Sequence, residues 1–289
     1  MKENKWLYLI VLSLMWGSSF ILMKKALLGL SPIQIGALRI LVAGFVLLAF
    51  SYKKVLKIKK KHWMPIAQVG FIASFFPAFF FAFAIHEIDS SVSAILNSLT
   101  PLITMLLGAL FFNFVFQKKQ IVGVFVGLLG TLMLIAYGMQ VNPEQNYAYA
   151  LLIFIASIGY ALGMNIVKSK LLDIDALSIT AGSFTLLIPP AFVILCFSGF
   201  FEVDFSNELV QESFGYIVLL ALLGTTIAKV LFNKLVQISS PIFSSSITYL
   251  ITVVAVAWGV LDGERLSLYQ FFSIGVIFLG VFLVNKKAT

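Results

Sequence analysis

The strongest constraint on this chain is a succession of uninterrupted apolar runs, each about as long as a lipid bilayer is thick, separated by short charged or polar joints. They lie at about 6–28, 33–52, 64–86, 90–112, 119–138, 147–168, 176–199, 213–236, 241–261 and 267–285. Crossing hydrocarbon takes about 20 apolar residues in a helix, and only helices or closed barrels satisfy the backbone there. A barrel strand would alternate apolar and polar positions over about ten residues. These runs are continuous, so they predict an all-α polytopic membrane protein with ten transmembrane helices. Those helices would use about 200 residues, which leaves short loops and no room for a soluble catalytic domain. Composition agrees: 61% hydrophobic and 11% charged residues, with a mean hydropathy of +1.04, against about 25% charged in soluble domains. The first run lacks a small-residue cleavage site and carries Lys24 and Lys25 where a signal peptide would be cut, so it reads as a span.

A single cysteine, Cys196, excludes an intrachain disulfide. His62 and His86 with one thiol cannot close the usual zinc site, so no metal or cofactor is expected. The net charge of +8 gains meaning from its placement. With the N-terminus inside, Lys2, Lys5, the run from Lys53 to Lys61, Lys118, Lys119, Lys168, Lys170, Lys234, Lys286 and Lys287 all fall on the inner side, against Arg265 alone outside. Glu87, Asp89, Glu144, Glu202, Asp204, Glu208, Glu212, Asp262 and Glu264 collect outside. This asymmetry predicts a multi-pass protein of the cell (inner or plasma) membrane with both termini cytoplasmic. The basic run reads as a topology signal touching anionic lipid, with no nucleic-acid partner expected. The oligomeric state, a homo-oligomer included, stays open.

The two halves resemble each other in order. Trp16, Phe20 and Lys24 align with Tyr160, Met164 and Lys168 at an offset of 144; Asn97, Pro101, Thr104 and Gly108 align with Thr248, Thr252, Ala255 and Gly259 at 151; Gln120 and Gly130 align with Gln270 and Gly280 at 150. The expected organisation is a first five-helix repeat over 1–138, an outer linker over 139–146 and a second repeat over 147–289. Five spans is an odd number, so the second repeat enters from the opposite face. Inverted repeats of this kind characterise secondary transporters with a midplane site.

Trp16-Gly17-Ser18-Ser19-Phe20 followed by Lys24, with Leu38-Arg39 in the second span, resembles the opening of the EamA-type family of the drug/metabolite transporter superfamily. Tyr249-Leu250-Ile251-Thr252, Trp258-Gly259, Gly263-Glu264-Arg265-Leu266-Ser267, Gln270, Gly275 and Gly280 are similar to that family's closing signature. Two positions depart from its pattern: Asn113 replaces the usual Glu before the fifth span, and Thr252 the usual ninth-span Pro. The resemblance covers the whole chain. It implies export or exchange of small metabolites, often amino acids or related compounds.

Several residue types inside spans are candidates for contact with a small-molecule substrate. Asn97, Pro101, Thr104 and Gly108 share one helical face, and Ser245, Thr248, Thr252, Ala255 and Gly259 form the matching face in the other half. Such a stripe lines either a helix seam or a hydrated cavity. The Gly123, Gly127, Gly130 stripe, with Ser273 and Gly280, reads as packing. Lys24, Lys25 and Arg39 sit about six residues, or roughly 9 Å, from their helix ends, and Lys229 is at similar depth beside Thr226 and Asn233. Lys25 reads as snorkelling to headgroups; Lys24, Arg39 and Lys229 either snorkel or serve a site. Trp16 and Tyr160 either flank a substrate or pack. The candidate set is Trp16, Ser19, Lys24, Arg39, Asn97, Pro101, Tyr160, Thr226, Lys229, Ser245, Thr248 and Tyr249. No Asp or Glu lies deep in any span, so positive walls predict an anionic or zwitterionic solute whose carboxylate pairs with Arg39 or Lys229.

His86, Glu87, Asp89 and Glu264 remain as rim groups for any proton coupling. Gly17, Pro77, the Pro101 region and Pro189-Pro190 are expected flexing points for alternating access through a central cavity. The phenylalanine-rich run from Phe75 to Phe83 reads as packing rather than an aromatic cage. An intramembrane enzyme lacks a nucleophile, base or metal constellation, so none is expected. A receptor or scaffold leaves the duplication unexplained.

Overall fold

The computed structural model describes residues 4–138, 146–262 and 268–285. Its helices are α1 Lys5–Ala26, α2 Pro32–Val55, α3 Lys60–Glu87, α4 Ser90–Phe112, α5 Lys118–Gly138, α6 Ala150–Lys170, α7 Ala176–Cys196, α8 Glu208–Ile238, α9 Pro241–Leu261 and α10 Leu268–Asn285. Among the described residues there is no strand. All but α5 and α10 are long and apolar enough to cross a membrane within the described residues. Large apolar side chains such as Phe50, Phe111 and Phe197 stand exposed on the outside of the bundle, the pattern of a surface solvated by lipid rather than water. The chain is a polytopic helical membrane protein.

Helix ends follow local chemistry. Ser31 and Gln34 form a reciprocal capping box at the start of α2, with Pro32 in the first turn. Asp175 caps α7, Asn207 caps α8 and Ser240 caps α9, each accepting from a backbone N–H. Asn113, at the end of α4, has φ 53°; Asn is one of the few residues other than Gly that adopts such a left-handed cap readily. Two helices start earlier than the apolar pattern predicts: α3 at Lys60 rather than 64 and α8 at Glu208 rather than 213. Charged residues on a helix's outermost turns reach water while the backbone remains helical, so hydropathy alone stops short.

Both α3 and α8 contain a widened turn, over Phe71–Phe75 and Leu220–Ile227. In α3 it precedes Pro77, which has no N–H to offer the Ala73 carbonyl four residues back. In α8 the Thr225 and Thr226 hydroxyls donate to the carbonyls of Leu220 and Ala221, at 3.3 and 2.9 Å. The other expected flexing points behave differently. The α4 helix breaks at 98–99 and resumes with Pro101 in its first turn, whereas α7 runs unbroken through Pro189 and Pro190. Gly17 lies within the unbroken α1 and lets it approach α9, where an added Cβ would meet Val254.

Helices distant in sequence pack together: α1 on α9, α2 on α7, α4 on α6 and α5 on α10. In the last pair Gly127 and Gly280 meet backbone to backbone, and a Cβ at Gly123 or Gly130 would lie 2.7 or 2.8 Å from the backbone nitrogen of Val284 or Ile277. The glycine stripe is thus a packing seam. Gly280→Ala is expected to cost about 1–3 kcal/mol through overpacking, read as a lowered Tm in detergent. Gly275→Ala, with nothing within 4 Å of its added Cβ, is the neutral control; equal effects of the two would refute the seam.

Candidate functional site

A central cavity lies between α1, α2, α3, α4, α6, α8 and α9, enclosing about 680 Å³ of space unfilled by protein, its open mouth included. Its polar wall consists of Trp16, Ser19, Arg39, Asn97, Thr100, Tyr160, Lys229, Ser245 and Thr248; Phe20, Met23, Phe81, Ile85, Met164, Phe232, Ile247 and Ile251 supply the apolar part. The lining extends to Met23 and Ile85, near the ends of α1 and α3.

The widened turns shape this wall. The Ala73 carbonyl, deprived of a partner by Pro77, accepts a hydrogen bond from Nζ of Lys229. The same ammonium faces the Tyr160 ring at 5.1 Å from its centroid. In α8 the Gly224 carbonyl accepts from Nε1 of Trp16 at 2.7 Å, and an added Cβ at Gly224 would collide with the Ser19 hydroxyl. Nε of Arg39 donates to Oγ1 of Thr225 at 2.7 Å. Trp16 packs against Phe232 at 4.8 Å, and Tyr160 stacks on Phe81 at 5.9 Å. Each cavity cation is therefore anchored to a helix from the other half of the chain. The hydroxyls of Ser19, Ser245 and Thr248 bond to carbonyls of their own helices, and Thr100 donates to Oδ1 of Asn97 at 3.1 Å.

Eight of the sequence candidates line this cavity: Trp16, Ser19, Arg39, Asn97, Tyr160, Lys229, Ser245 and Thr248. The other four stand elsewhere. Lys24 pairs with Asp262 at 3.0 Å, beside Lys25 at 2.9 Å. Pro101 is buried in α4. Thr226 spends its hydroxyl on Ala221. Tyr249 is buried with its ring against Gly127 and its hydroxyl donated to the Val124 carbonyl at 3.0 Å. The two small-residue stripes divide along their length: Asn97, Ser245 and Thr248 face the cavity, while the Thr104 carbonyl accepts from Asn165 and the Thr252 hydroxyl donates to the Ala94 carbonyl across helix seams.

The apolar lining and Thr225 escaped the sequence reading. Phe81 belongs to the run read as packing, and its neighbours Phe75, Phe76, Phe79 and Phe80 do pack on one another. Period alone does not separate one cavity-facing ring from four packed ones. Thr225 could have been found as the hydroxyl four residues before Lys229 on the same face.

Neither Arg39 nor Lys229 has a carboxylate partner among the described residues, and no Asp or Glu lines the cavity. An opposite charge about 4 Å away is worth about 4 kcal/mol at an effective dielectric of about 20. Among the described residues the wall therefore carries a net positive charge. Among the described residues no cluster of His, Cys, Asp and Glu could hold a metal. Of the rim groups, His86 Nδ1 lies 2.8 Å from Oε1 of Glu87, while Glu264 lies outside the described residues.

At the lysine-rich end, Lys54 pairs with Asp175 at 2.8 Å, and Asp173 takes Lys61 at 2.6 Å and Nε2 of the buried His62 at 3.0 Å. Hydrogen bonds from Lys61 and His62 hold the Asp173 carboxyl down to about 2, below its ordinary 3.8. Hydrogen bonds from Lys25 and Lys24 likewise hold Asp262 below the usual range at the other end. A depressed carboxyl stabilises fully above its unfolded value and ceases to do so as pH falls through the folded one. The Tm should therefore fall more steeply between pH 3.8 and about 2 in the wild type than in Asp173→Asn; superimposable acid profiles would exclude the bridge.

The sequence profile described as "EamA-like transporter family" matches residues 4–136 and again 148–286. The chain is 29% identical to the uncharacterized inner membrane transporter YedA of Escherichia coli, over 96% of this chain and 89% of that one. It is 23% identical to an uncharacterized transporter of Archaeoglobus fulgidus, over 98% and 99% of the two chains, and 23% identical to the uncharacterized transporter YoaV of Bacillus subtilis, over 96% and 92%. A solved crystal structure shares the fold with a TM-score of 0.72 at 17% identity, covering 99% of this chain and 97% of its own.

Proposed function

The chain belongs to the EamA-like transporter family, and on that premise we propose that this membrane transporter moves a small carboxylate-bearing solute, an amino acid or a related anionic or zwitterionic metabolite, by export or exchange. The observation that carries this reading is the pair Arg39 and Lys229 on one cavity, with no carboxylate among the described residues to neutralise either. A buried cation is costly in hydrocarbon unless hydrated or paired, and a solute carboxylate meets a guanidinium fork or an ammonium with charge-assisted hydrogen bonds. The apolar lining of Phe20, Met23, Phe81, Ile85 and Ile251 suits the remainder of such a solute.

Alternating access between two inverted five-helix repeats, 1–138 and 147–289, is the proposed mechanism. The profile's two matches fall within these halves, and the widened turns lie in the third helix of each, both in favour of a repeat. The cavity lining reaches the Met23 and Ile85 end, whereas Lys54–Asp175 and Lys61–Asp173 bridge the lysine-rich end. Exchange of open ends would require those bridges to part. The lysine asymmetry supports residence in the inner or plasma membrane with both termini in the cytoplasm.

The test is counterflow in proteoliposomes against amino acids, other organic anions, nucleosides and organic cations. A carboxylate solute should be exchanged, and Arg39→Gln or Lys229→Gln should slow that exchange about 10- to 100-fold, the loss of one hydrogen bond to a charged group. Equal organic-cation flux in wild type and double variant, with no carboxylate flux in either, would overturn the reading. Flux of any solute separates a transporter from a receptor or an intramembrane enzyme.

A further inference from the structure

A second, smaller cavity, about 270 Å³ of space unfilled by protein with its open mouth included, lies between α2, α3, α6, α7 and α8. Arg39, Tyr160 and Lys229 line both cavities; Ser74, Thr225 and Phe184 line only the smaller one of these two. Its polar groups are almost all donors. Arg39 spends only Nε, on Thr225, and Lys229 gives one bond to the Ala73 carbonyl. The Ser74 hydroxyl and the Tyr160 phenol have no hydrogen-bond partner among the described residues. Among the described residues no carboxylate lines it. Two cations and two hydroxyl-bearing side chains with no hydrogen-bond partner among the described residues thus border one space in the membrane interior, the composition of a site for an acceptor with negative charge.

We propose that this pocket binds a small inorganic anion, chloride under physiological conditions, which remains beside Arg39 and Lys229 while the larger cavity handles the organic solute. Size favours a monoatomic ion, since the space admits about one water-sized sphere and Ala78 and Phe184 close its apolar side. Charge balance favours it too. A solute with one carboxylate neutralises one cation, and a resident chloride neutralises the other. The site shares Arg39 and Lys229 with the transport reading, yet it stands whichever solute moves.

The experiment uses the purified full chain in detergent and sodium isethionate buffer, with chloride replacing isethionate at constant ionic strength and Tm followed by intrinsic fluorescence. Binding to the folded state raises Tm along a saturation curve. Chloride and bromide should each give such a curve. Ser74→Ala should move its midpoint about tenfold upward, the loss of a hydrogen bond to a charged acceptor, and Lys229→Gln should abolish it; if that variant does not fold, Tyr160→Phe takes its place with the same midpoint shift expected. A flat or non-saturating response to both halides in the wild type would overturn the proposal. A saturating response to acetate in place of chloride would also overturn it, assigning the pocket to a solute carboxylate and leaving the transport reading intact. A saturating chloride response alongside unaltered carboxylate exchange in Arg39→Gln would uphold the anion site and count against the transport reading alone.

Discussion

A backbone carbonyl at membrane depth has no water to bond, and this constraint organises the centre of the protein. Pro77 removes the donor that would serve Ala73, and the carbonyl is met by Lys229 from the other half of the chain. The widened turn of α8 presents the Gly224 carbonyl, which Trp16 meets from the first half. Each defect in one helix becomes the anchor for a side chain of another. The anchored side chains are those that form the cavity wall, so irregular backbone is found where it lines a cavity.

Charge is distributed under the same restriction. At both ends of the bundle, lysines find aspartates: Lys24 and Lys25 with Asp262, Lys54 with Asp175, Lys61 with Asp173. Exposed pairs of this kind contribute little energy each, but they tie α1 to the end of α9 and the start of α3 to the loop before α7. In the interior, Arg39 and Lys229 are held by a hydroxyl and a carbonyl instead. Those partners are neutral, so neither cation meets an opposite charge among the described residues.

Close packing supplies the rest of the frame. Glycines at 123, 127, 130 and 280 bring α5 and α10 into backbone contact at the side of the bundle, and Gly17 makes room on α1 for the Val254 side chain of α9. The hydroxyl-bearing stripes of α4 and α9 do two jobs along one face: near Asn97 and Thr248 they border the cavity, and near Thr104 and Thr252 they stitch helices together. A period of 3.6 residues places such groups on one side of a helix. It does not say where along that side a neighbouring helix ends and open space begins.

The sequence by itself determined that the chain is helical and crosses a membrane many times, because runs of about 20 apolar residues have few other solutions. It also carried the family, through Trp16 to Phe20, Arg39 and the segment around Tyr249. It singled out Arg39, Tyr160 and Lys229 because polar groups in apolar runs are conspicuous. Tertiary structure alone decided which cations stay inside. Lys24 and Arg39 look alike in the sequence, yet Lys24 lies within reach of Asp262 and Arg39 within reach of Thr225. It also selected Phe81 from a run of phenylalanines and recruited Thr225, Met164 and Ile251 to the two cavities. The physical reason is that burial in lipid is a property of a segment, whereas a partner across the bundle depends on how separate helices meet in space.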